Sequence, residues 1–335
     1  MNVKKCKILV IGGGTGTYSV LSGLKEINEN ITAIVTMADS GGSARKERDE
    51  WGMLPSSDIR KSLIALTDIS KEDTLVLRKL FEYRYSEGKG VKGMTFGNLF
   101  LVALTKILQS QTKAIKTAGE LLNIKGKVLP VTLDKVDLVA TYNDGTRIIG
   151  EHFIDEPKHN GKLRITNLDT VPQAYITEES KKAIKNADLI ILGPGGFYTT
   201  ILANLVIKGM KQELVKSKAK KIFIMNLMTE FGQTYGFNAT DFIEELDKYL
   251  PLRMLNYVFI NSVPIPSSIL NRYKKYHAQP VLNDLPKAKS FKVIATDLLS
   301  EMIIQKEKGD TLRRSLVRHS PEKIANLCIK IINLL

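Results

Sequence analysis

Short apolar runs alternate along the chain with segments in which apolar residues recur every three or four positions. Thr17–Glu26 is the first segment with this helical period. The strand-like runs are Cys6–Ile11, Ile31–Ala38, Asp188–Leu192, Lys221–Asn226 and Tyr257–Asn261. This alternation predicts a parallel sheet with helices on both faces. Ligands of such folds bind beyond the carboxyl ends of the strands, so the loops that follow the runs are where we expect chemistry.

One stretch departs from the alternation. The segment at about 127–169 is rich in β-type residues, and Asn143-Asp144-Gly145 between two alternating runs is a strong hairpin signal. The chain shows no internal repeat and no low-complexity linker. We therefore predict a three-layer α/β/α, Rossmann-like fold with a mainly parallel sheet and a small β-rich insertion, in a single domain over residues 1–335.

The first strand runs into a glycine-rich turn and then a helix, in "ILVIGGGTGTYSVLSGLK". Gly13, Gly14, Thr15 and Gly16 let the backbone approach an anion at a helix N-terminus, which favours phosphate binding. The segment lacks the Lys-Ser/Thr end of a P-loop, and Ser19 stands where a dinucleotide fingerprint has its last glycine. The alternative is a tight turn that needs a positive φ.

A second glycine-rich turn follows the run that ends at Leu192, in "ADLIILGPGGFYTTILANLVI". Gly193, Gly195 and Gly196 form the turn, and Thr199 can cap the next helix or hold a phosphate oxygen. Tyr198 can stack on a base or simply pack. Two such turns in one sheet predict a ligand with two anionic groups or a long diphosphate.

Two acids follow the second strand-like run. Asp39 ends that run before a turn in which Ser43 is a candidate phosphate-binding residue, and Asp58 precedes a helical pattern. They are either a turn residue and a helix N-cap, or carboxylates that hold Mg²⁺ together with ligand phosphates. Nearby basic residues suited to phosphate are Arg45, Lys46, Arg48 and Arg60.

Two asparagines lie at element ends. Asn98 begins a helical pattern after a glycine, and Asn226 ends a strand-like run. Each either caps or turns the chain, or hydrogen-bonds a ribose, sugar or phosphate in a shared crevice.

The composition narrows the class of protein. The net charge is +14 over 335 residues, carried mostly by lysines along helical segments, which indicates a solvated surface rather than a nucleic-acid interface. No apolar run is long enough for a membrane span, and we expect no signal peptide. With two cysteines, a cytoplasmic location is the default. The scattered histidines show no metal-ligand spacing; they are His152, His159, His277 and His319.

Motifs over nearly the whole chain resemble the CofD-like superfamily, and specifically its bacterial YvcK branch of gluconeogenesis factors. They are the two glycine turns, "ITAIVTMADSGGS", "LPSSDIRKSLIAL", "FGNLFLVALT" and "NLMTEFGQTYGF". The resemblance implies a Rossmann-type fold and a homodimer. In the superfamily's 2-phospho-L-lactate transferase branch, aspartates at the positions of Asp39 and Asp58 are linked to a divalent metal and to substrate. An acceptor hydroxyl there attacks a phosphorus of a guanosine diphosphate-type donor, and GMP leaves.

The YvcK branch is described as binding UDP-sugars such as UDP-N-acetylglucosamine, and it is associated with carbon flux into cell-wall precursors and with cell shape. The positions that the resemblance implies for this ligand are Gly13, Gly14, Thr15, Asn98, Gly193, Gly195, Tyr198, Asn226 and Thr229.

The chain departs from the branch at the acidic turn. A second aspartate becomes Ser40, a glycine becomes Arg45, and Pro-Pro-Gly-Asp becomes Pro55-Ser56-Ser57-Asp58. Losing one acid weakens a metal site, so our first hypothesis is a nucleotide-sugar-binding regulator with protein partners in cell-wall synthesis. The alternative is a Mg²⁺-dependent phosphotransferase, and a weaker alternative is an NAD-dependent oxidoreductase. The sequence leaves open whether the chain has any turnover.

Overall fold

The computed structural model describes residues 2–70, 72–286, 290–301 and 316–335. Within these residues the strands form two separate sheets. The strands are β1 (Ile8–Gly12), β2 (Ile31–Val35), β3 (Lys127–Pro130), β4 (Asp137–Tyr142), β5 (Arg147–Ile149), β6 (Ile165–Val171), β7 (Leu189–Leu192), β8 (Lys220–Ile224), β9 (Tyr257–Asn261) and β10 (Lys292–Thr296). The larger sheet has seven strands in the order β10-β9-β8-β7-β1-β2-β3.

The seven-stranded sheet is parallel throughout, and β1 lies at its topological switch point. The chain builds β2 and β3 outward on one side of β1 and later returns to place β7 on the other side. Ile8 is consequently paired with both Ile31 and Leu189. The crevice where the strand order reverses is the place where doubly wound folds bind ligands.

Helices flank both faces of this sheet, as predicted for a three-layer α/β fold. They are α1 (Gly14–Leu24), α2 (Gly42–Trp51), α3 (Ser57–Leu66), α4 (Glu72–Glu82), α5 (Phe96–Leu108), α6 (Gln111–Leu121), α7 (Glu151–Asp155), α8 (Glu178–Asn186), α9 (Ala203–Leu205), α10 (Met210–Lys216), α11 (Ala239–Tyr249), α12 (Ser267–Lys274) and α13 (Pro321–Ile332). A π-helix, Phe197–Leu202, leads into α9.

Helix α1 packs against α3 and against α13, near the other end of the chain. The approach to α13 is close: a Cβ on Gly23 would lie 2.1 Å from the carbonyl oxygen of Pro321. Within the described residues, none of the helices combines the length and the apolar character needed to cross a bilayer.

The β-rich segment is smaller than we predicted. Strands β4, β5 and β6 form a three-stranded antiparallel sheet, and the Asn143-Asp144-Gly145 hairpin joins β4 to β5 as expected. However, β3 pairs in parallel with β2 and belongs to the large sheet. Its buried Val128 and Pro130 alternate with more exposed residues, as suits a strand at the edge of that sheet. The small sheet therefore begins at Asp137, not at Lys127.

Candidate functional site

A cleft of about 520 Å³ opens at the carboxyl ends of β1, β2, β7 and β8. The loop after each strand supplies part of its lining: Gly14 after β1, Asp39 after β2, Gly195 after β7 and Asn226 after β8. The two glycine-rich turns and the acidic turn thus face one cavity, at the switch point of the sheet. Its volume lies in the usual range for a small-molecule site.

The first glycine-rich turn presents backbone to the cleft. Gly14, Thr15 and Gly16 line it, at the N-terminus of α1. The amide of Gly13 donates a 2.7 Å hydrogen bond to Thr17 Oγ1, which fixes the entry into the helix. The amides and dipole of this eleven-residue helix favour an anion at this position.

The second glycine-rich turn lies directly against the first. A Cβ on Gly16 would be 2.3 Å from the carbonyl oxygen of Pro194, so only a glycine permits this approach. The buried Asn204 links the two turns through hydrogen bonds, since its Nδ2 donates to the carbonyls of Gly12 and Thr200 at 2.9 and 2.8 Å. The two turns therefore behave as one unit. The part of it that faces the cleft is Gly14, Thr15, Gly16, Gly195, Gly196, Thr199 and Thr200.

Three residues expected at the ligand do not line the cleft. Tyr198 has a fully buried ring that packs on Phe197, and its hydroxyl donates to the carbonyl of Ile165 at 3.4 Å. The structure therefore places Tyr198 in the core, where it cannot stack on a base. Gly193 is buried below the turn with φ 72°. Gly13 is also buried, and a Cβ there would lie 2.3 Å from Asp58 Oδ2.

The structure brings Asp39 and Asp58 together. Asp39 Oδ1 accepts from the amide of Gly41 at 3.0 Å, and burial, followed by the charge of Asp58, raises the pKa of Asp39. Asp58 Oδ1 lies 3.1 Å from Lys61 Nζ. The N-cap interpretation of Asp58 is wrong, because α3 begins at Ser57 and Asp58 sits inside its first turn. Its carboxylate points to the glycine turn instead.

These two acids fit a substrate-completed Mg²⁺ site, because Mg²⁺ often takes one or two carboxylates together with phosphate oxygens. They do not form a cage of their own. Across the residues that the structure describes, no three His, Cys, Asp or Glu side chains are placed to hold a metal ion.

Acidic residues of α7 form a further part of the lining that the sequence did not reveal. Ser40 joins this helix to the acidic turn: its Oγ accepts from the amide of His152 at 3.0 Å, and its own amide donates to Glu151 Oε2 at 3.4 Å. Burial, then the charges of Asp39 and Asp155, raises the pKa of Glu151 well above its ordinary value. Asp155 Oδ1 accepts from Gln233 Nε2 at 3.1 Å.

A buried polar network stabilises the part of the cleft wall that α2, α3 and α5 form. Asn98 Oδ1 accepts from Arg60 Nε at 2.8 Å, and Asn98 Nδ2 donates to Glu47 Oε1 at 2.6 Å. Glu47 is fully buried, and Ser56 donates to its Oε2 through both the amide (2.8 Å) and the hydroxyl (2.6 Å). Burial raises the pKa of Glu47 to about 7. Asn98 lines the cleft, but its side chain already hydrogen-bonds to Glu47 and Arg60. Its Nδ2 also donates to Ser57 Oγ at 3.3 Å.

Four helices of ten or more residues begin at the cleft, namely α1, α2, α3 and α5.

Of the basic residues predicted to bind phosphate, Lys46 and Arg60 line the cleft. Arg45 instead pairs with Asp49, and Arg48 pairs with Asp137 at 2.7 Å. Basic lining residues that the sequence analysis missed are Lys61, Arg84, Lys92 and Arg318.

The remaining predicted positions are placed as follows. Asn226 and Thr229 line the cleft; Asn226 Nδ2 donates to the carbonyl of Gly195 at 2.8 Å, and Thr229 Oγ1 accepts from the amide of Gln279 at 3.0 Å. Ser43 lies in the first turn of α2, and its side chain is outside the described part of the structure.

Together, the sheet order and the position of the cleft define an α/β protein of Rossmann type with its cavity at the topological switch point. The family model described as 2-phospho-L-lactate transferase CofD matches residues 8–299. The chain belongs to the CofD family, as the sequence motifs predicted.

Two of the relatives that the chain matches are named as gluconeogenesis factors. The chain is 39% identical over 324 residues to a "Putative gluconeogenesis factor" of Thermoanaerobacterium thermosulfurigenes, covering 96% of this chain and 95% of the relative. It is 34% identical over 329 residues to the "Gluconeogenesis factor" of Bacillus subtilis (strain 168), covering 98% and 99%. A crystal structure of a UPF0052 family protein from Bacillus halodurans superposes with a TM-score of 0.86 at 31% identity, covering 97% of this chain and 99% of that one.

Proposed function

We propose that the chain is a regulatory protein that binds a nucleotide sugar of the UDP-N-acetylglucosamine type. In this proposal the bound sugar reports precursor supply and links gluconeogenic carbon flux to cell-wall synthesis and cell shape. The observation that carries the binding step is the convergence of four helix N-termini and two glycine-rich turns on one cleft. A diphosphate is the anion that such a concave, donor-rich surface suits.

The basic side chains of the cleft support the same ligand. Lys46, Arg84 and Lys92 come from α2 and from the segment before α5. Their charges add to the helix dipoles and compensate an anionic ligand without a metal ion.

Binding without turnover is favoured by two features of the acidic turn. Lys61 Nζ already neutralises Asp58 at 3.1 Å, so a metal ion would compete with an ammonium group for this carboxylate. Ser40, which replaces the branch's second aspartate, accepts a hydrogen bond from the start of α7 instead of offering a charge. The name of these relatives, gluconeogenesis factor, is in keeping with a regulatory role.

Calorimetric titration of the full chain with UDP-N-acetylglucosamine, GDP and NAD, each with and without Mg²⁺, tests this proposal. We expect the UDP-sugar to bind with a Kd on the order of micromolar without Mg²⁺ and to be recovered unchanged. Gly195→Val should abolish this binding in a folded protein, because the new side chain would enter the turn 3.0 Å from Thr200 Cγ2. Unchanged affinity in the folded variant would contradict the phosphate site.

A Mg²⁺-dependent phosphotransferase is the second candidate, and the pairing of Asp39 with Asp58 favours it. Burial and the charge of Asp58 raise the pKa of Asp39, which shows that the two carboxylates are close together. Such a pair is suited to bind a divalent ion together with phosphate oxygens of the ligand. Such an ion would supply charge neutralisation at the phosphorus, while Asp39 and Asp58 hold it and the glycine turns orient the diphosphate.

Release of GMP from a guanosine diphosphate-linked donor tests the second candidate. Turnover that requires Mg²⁺ and that is lost in Asp58→Asn at unchanged melting temperature would establish it. Metal-independent binding that survives this substitution would exclude it and leave Asp58 as a residue that shapes the loop.

The homodimer and the protein partners in cell-wall synthesis belong to the same proposal. Light scattering of the purified chain, with and without the UDP-sugar, measures its mass in solution. A mass equal to that of one chain would contradict the homodimer.

A further inference from the structure

Acceptor atoms extend from the phosphate-binding turns along one wall of the cleft. Asp58 touches the first glycine turn, Asp39 lies beside Asp58, and the charge of Asp39 acts on Glu151. Glu151 in turn lies near Asp155, which accepts from Gln233. We call the far part of this series, Glu151, Asp155 and Gln233, the acceptor wall. All three residues line the cleft.

Gln233 is the observation that distinguishes this wall from an ordinary cluster of acids. The residue is 1% exposed and lines the cleft. The amide nitrogen is committed to Asp155 Oδ1 at 3.1 Å, which fixes the orientation of the amide, and Oε1 is buried without a hydrogen-bond partner. Leaving a buried carbonyl oxygen without a donor is unfavourable, so Oε1 is suited to accept a hydrogen bond from a group outside the chain.

The chemistry of the wall selects the class of ligand group. Carboxylates and an amide oxygen accept hydrogen bonds, and they repel a phosphate. Glu151 and Asp155 come from the same short helix, α7, and both line the cleft, so an anionic group placed there would meet acidic side chains. A neutral group with several hydroxyl donors satisfies every acceptor.

We propose that Glu151, Asp155 and Gln233 bind the hydroxyl groups of the sugar and select a nucleotide sugar over a nucleoside triphosphate of the same base. This inference rests on the proposed function, because the diphosphate must lie at the glycine turns for its outer substituent to reach the acceptor wall. The third phosphate of a nucleoside triphosphate at the acceptor wall would be repelled by its acidic side chains. A sugar in the same place would donate hydrogen bonds from its hydroxyl groups to the acceptor wall.

The experiment compares UDP, UTP and UDP-N-acetylglucosamine by calorimetry in EDTA, using the full chain and two variants. We expect the wild type to bind the UDP-sugar at least about tenfold more tightly than UTP. Asp155→Asn keeps an acceptor for Gln233 but removes the charge, and it should raise UTP affinity about five- to tenfold. Glu244→Gln, an equal charge change at an exposed position of α11, is the matched control and should leave the ratio unchanged.

Gln233→Met is the second variant, because it keeps the side-chain length and removes the unpartnered oxygen. UDP-sugar affinity should fall about tenfold while UDP affinity stays within about twofold, since UDP lacks the sugar. Equal losses for UDP and the UDP-sugar, or no loss for either, would overturn the inference. So would UTP binding in the wild type as tightly as the UDP-sugar.

The two proposals fail in different ways. If the wild type binds neither UDP nor the UDP-sugar, the proposed function itself is wrong. If the wild type binds both and the variants leave the ratio of affinities unchanged, the nucleotide site stands and the acceptor wall is wrong. Tighter UTP binding on addition of Mg²⁺, lost in Asp155→Asn, would assign the wall to a metal ion and overturn the sugar assignment.

Discussion

The two sides of the cleft are built in different ways. On the side of β1 and β7, glycine-rich turns pack backbone against backbone, so closely that a Cβ added to Gly16 would lie only 2.3 Å from Pro194 O. On the side of α2, α3 and α5, the wall is held by side chains, with Asn98 between Arg60 and Glu47. The first construction tolerates no added atoms, and the second depends on hydrogen bonds and protonation. The two sides should therefore respond to different perturbations.

The largest effect is expected where the backbone side is most crowded. Gly16→Ala places a methyl group against the Pro194 carbonyl, which cannot move without shifting the second turn, so we expect a loss of about 3 kcal/mol or more in the free energy of unfolding. Urea denaturation measures it. Gly14→Ala is the matched control: its Cβ would come no nearer than 4.0 Å to Thr200 Oγ1, and φ is 63°.

The control should therefore show only the cost of a left-handed backbone, about 1 kcal/mol. Equal losses for Gly14→Ala and Gly16→Ala would show that contact between the turns does not matter to the fold.

A smaller loss is expected on the side-chain side. Asn98→Leu removes a buried hydrogen-bond partner from both Glu47 and Arg60, and we expect a loss of about 2–3 kcal/mol in unfolding free energy and weaker ligand binding. Thr105→Val, which removes one hydrogen bond to Leu101 O within the same helix, is the control and should cost less than about 1 kcal/mol. An Asn98→Leu variant as stable as this control would refute a structural role for the network.

The smallest expected effect depends on pH and belongs to Glu47. Its pKa in the folded state, about 7, is above the unfolded value of 4.5, so the folded chain holds the extra proton between these values. Stability from this group is therefore present at low pH and is lost as pH rises through about 7. We expect the unfolding free energy of Glu47→Gln, relative to the wild type, to increase by about 2 kcal/mol from about pH 5 to about pH 8.

Glu50→Gln, an exposed position in the same helix, is the control for this measurement and should follow the wild type. Asp39 and Glu151 also have raised pKa values and contribute with the same sign, so the difference between variants is the informative quantity. A difference that does not change with pH would mean that Glu47 keeps one protonation state throughout.

The same contrast explains which parts of the site the sequence predicted. Gly14, Gly16 and Gly195 were found because a glycine between a strand and a helix is a local signal, and the order of strands then placed both turns at one crevice. Asn98 was identified by its position at the start of a helix, yet in the structure its side chain hydrogen-bonds to Arg60 and Glu47. A local signal located the residue but not its partners.

The residues that were missed meet only through the tertiary fold. Glu151 and Gln233 are 82 positions apart, in a five-residue helix and in the segment after β8. Gln233 lies within the motif "NLMTEFGQTYGF", but its neighbours along the chain do not indicate that its side chain reaches the cleft. Tyr198 shows the opposite error. Its place beside a glycine turn suggested a base contact, but the π-helix directs its ring into the core, where burial of the aromatic surface is favourable.

The contact between α1 and α13 has a consequence for how the chain folds during synthesis. The ribosome makes β1 and α1 first, but β7 and α13, which cover them, emerge roughly 170 to 300 residues later by their positions in the chain. Until then β1 can pair with β2 but lacks β7 on its other side, and α1 lacks the surface that receives Gly23. The first glycine-rich turn is therefore completed by elements that are made long after it, and we expect nascent chains to need chaperones until α13 has been made.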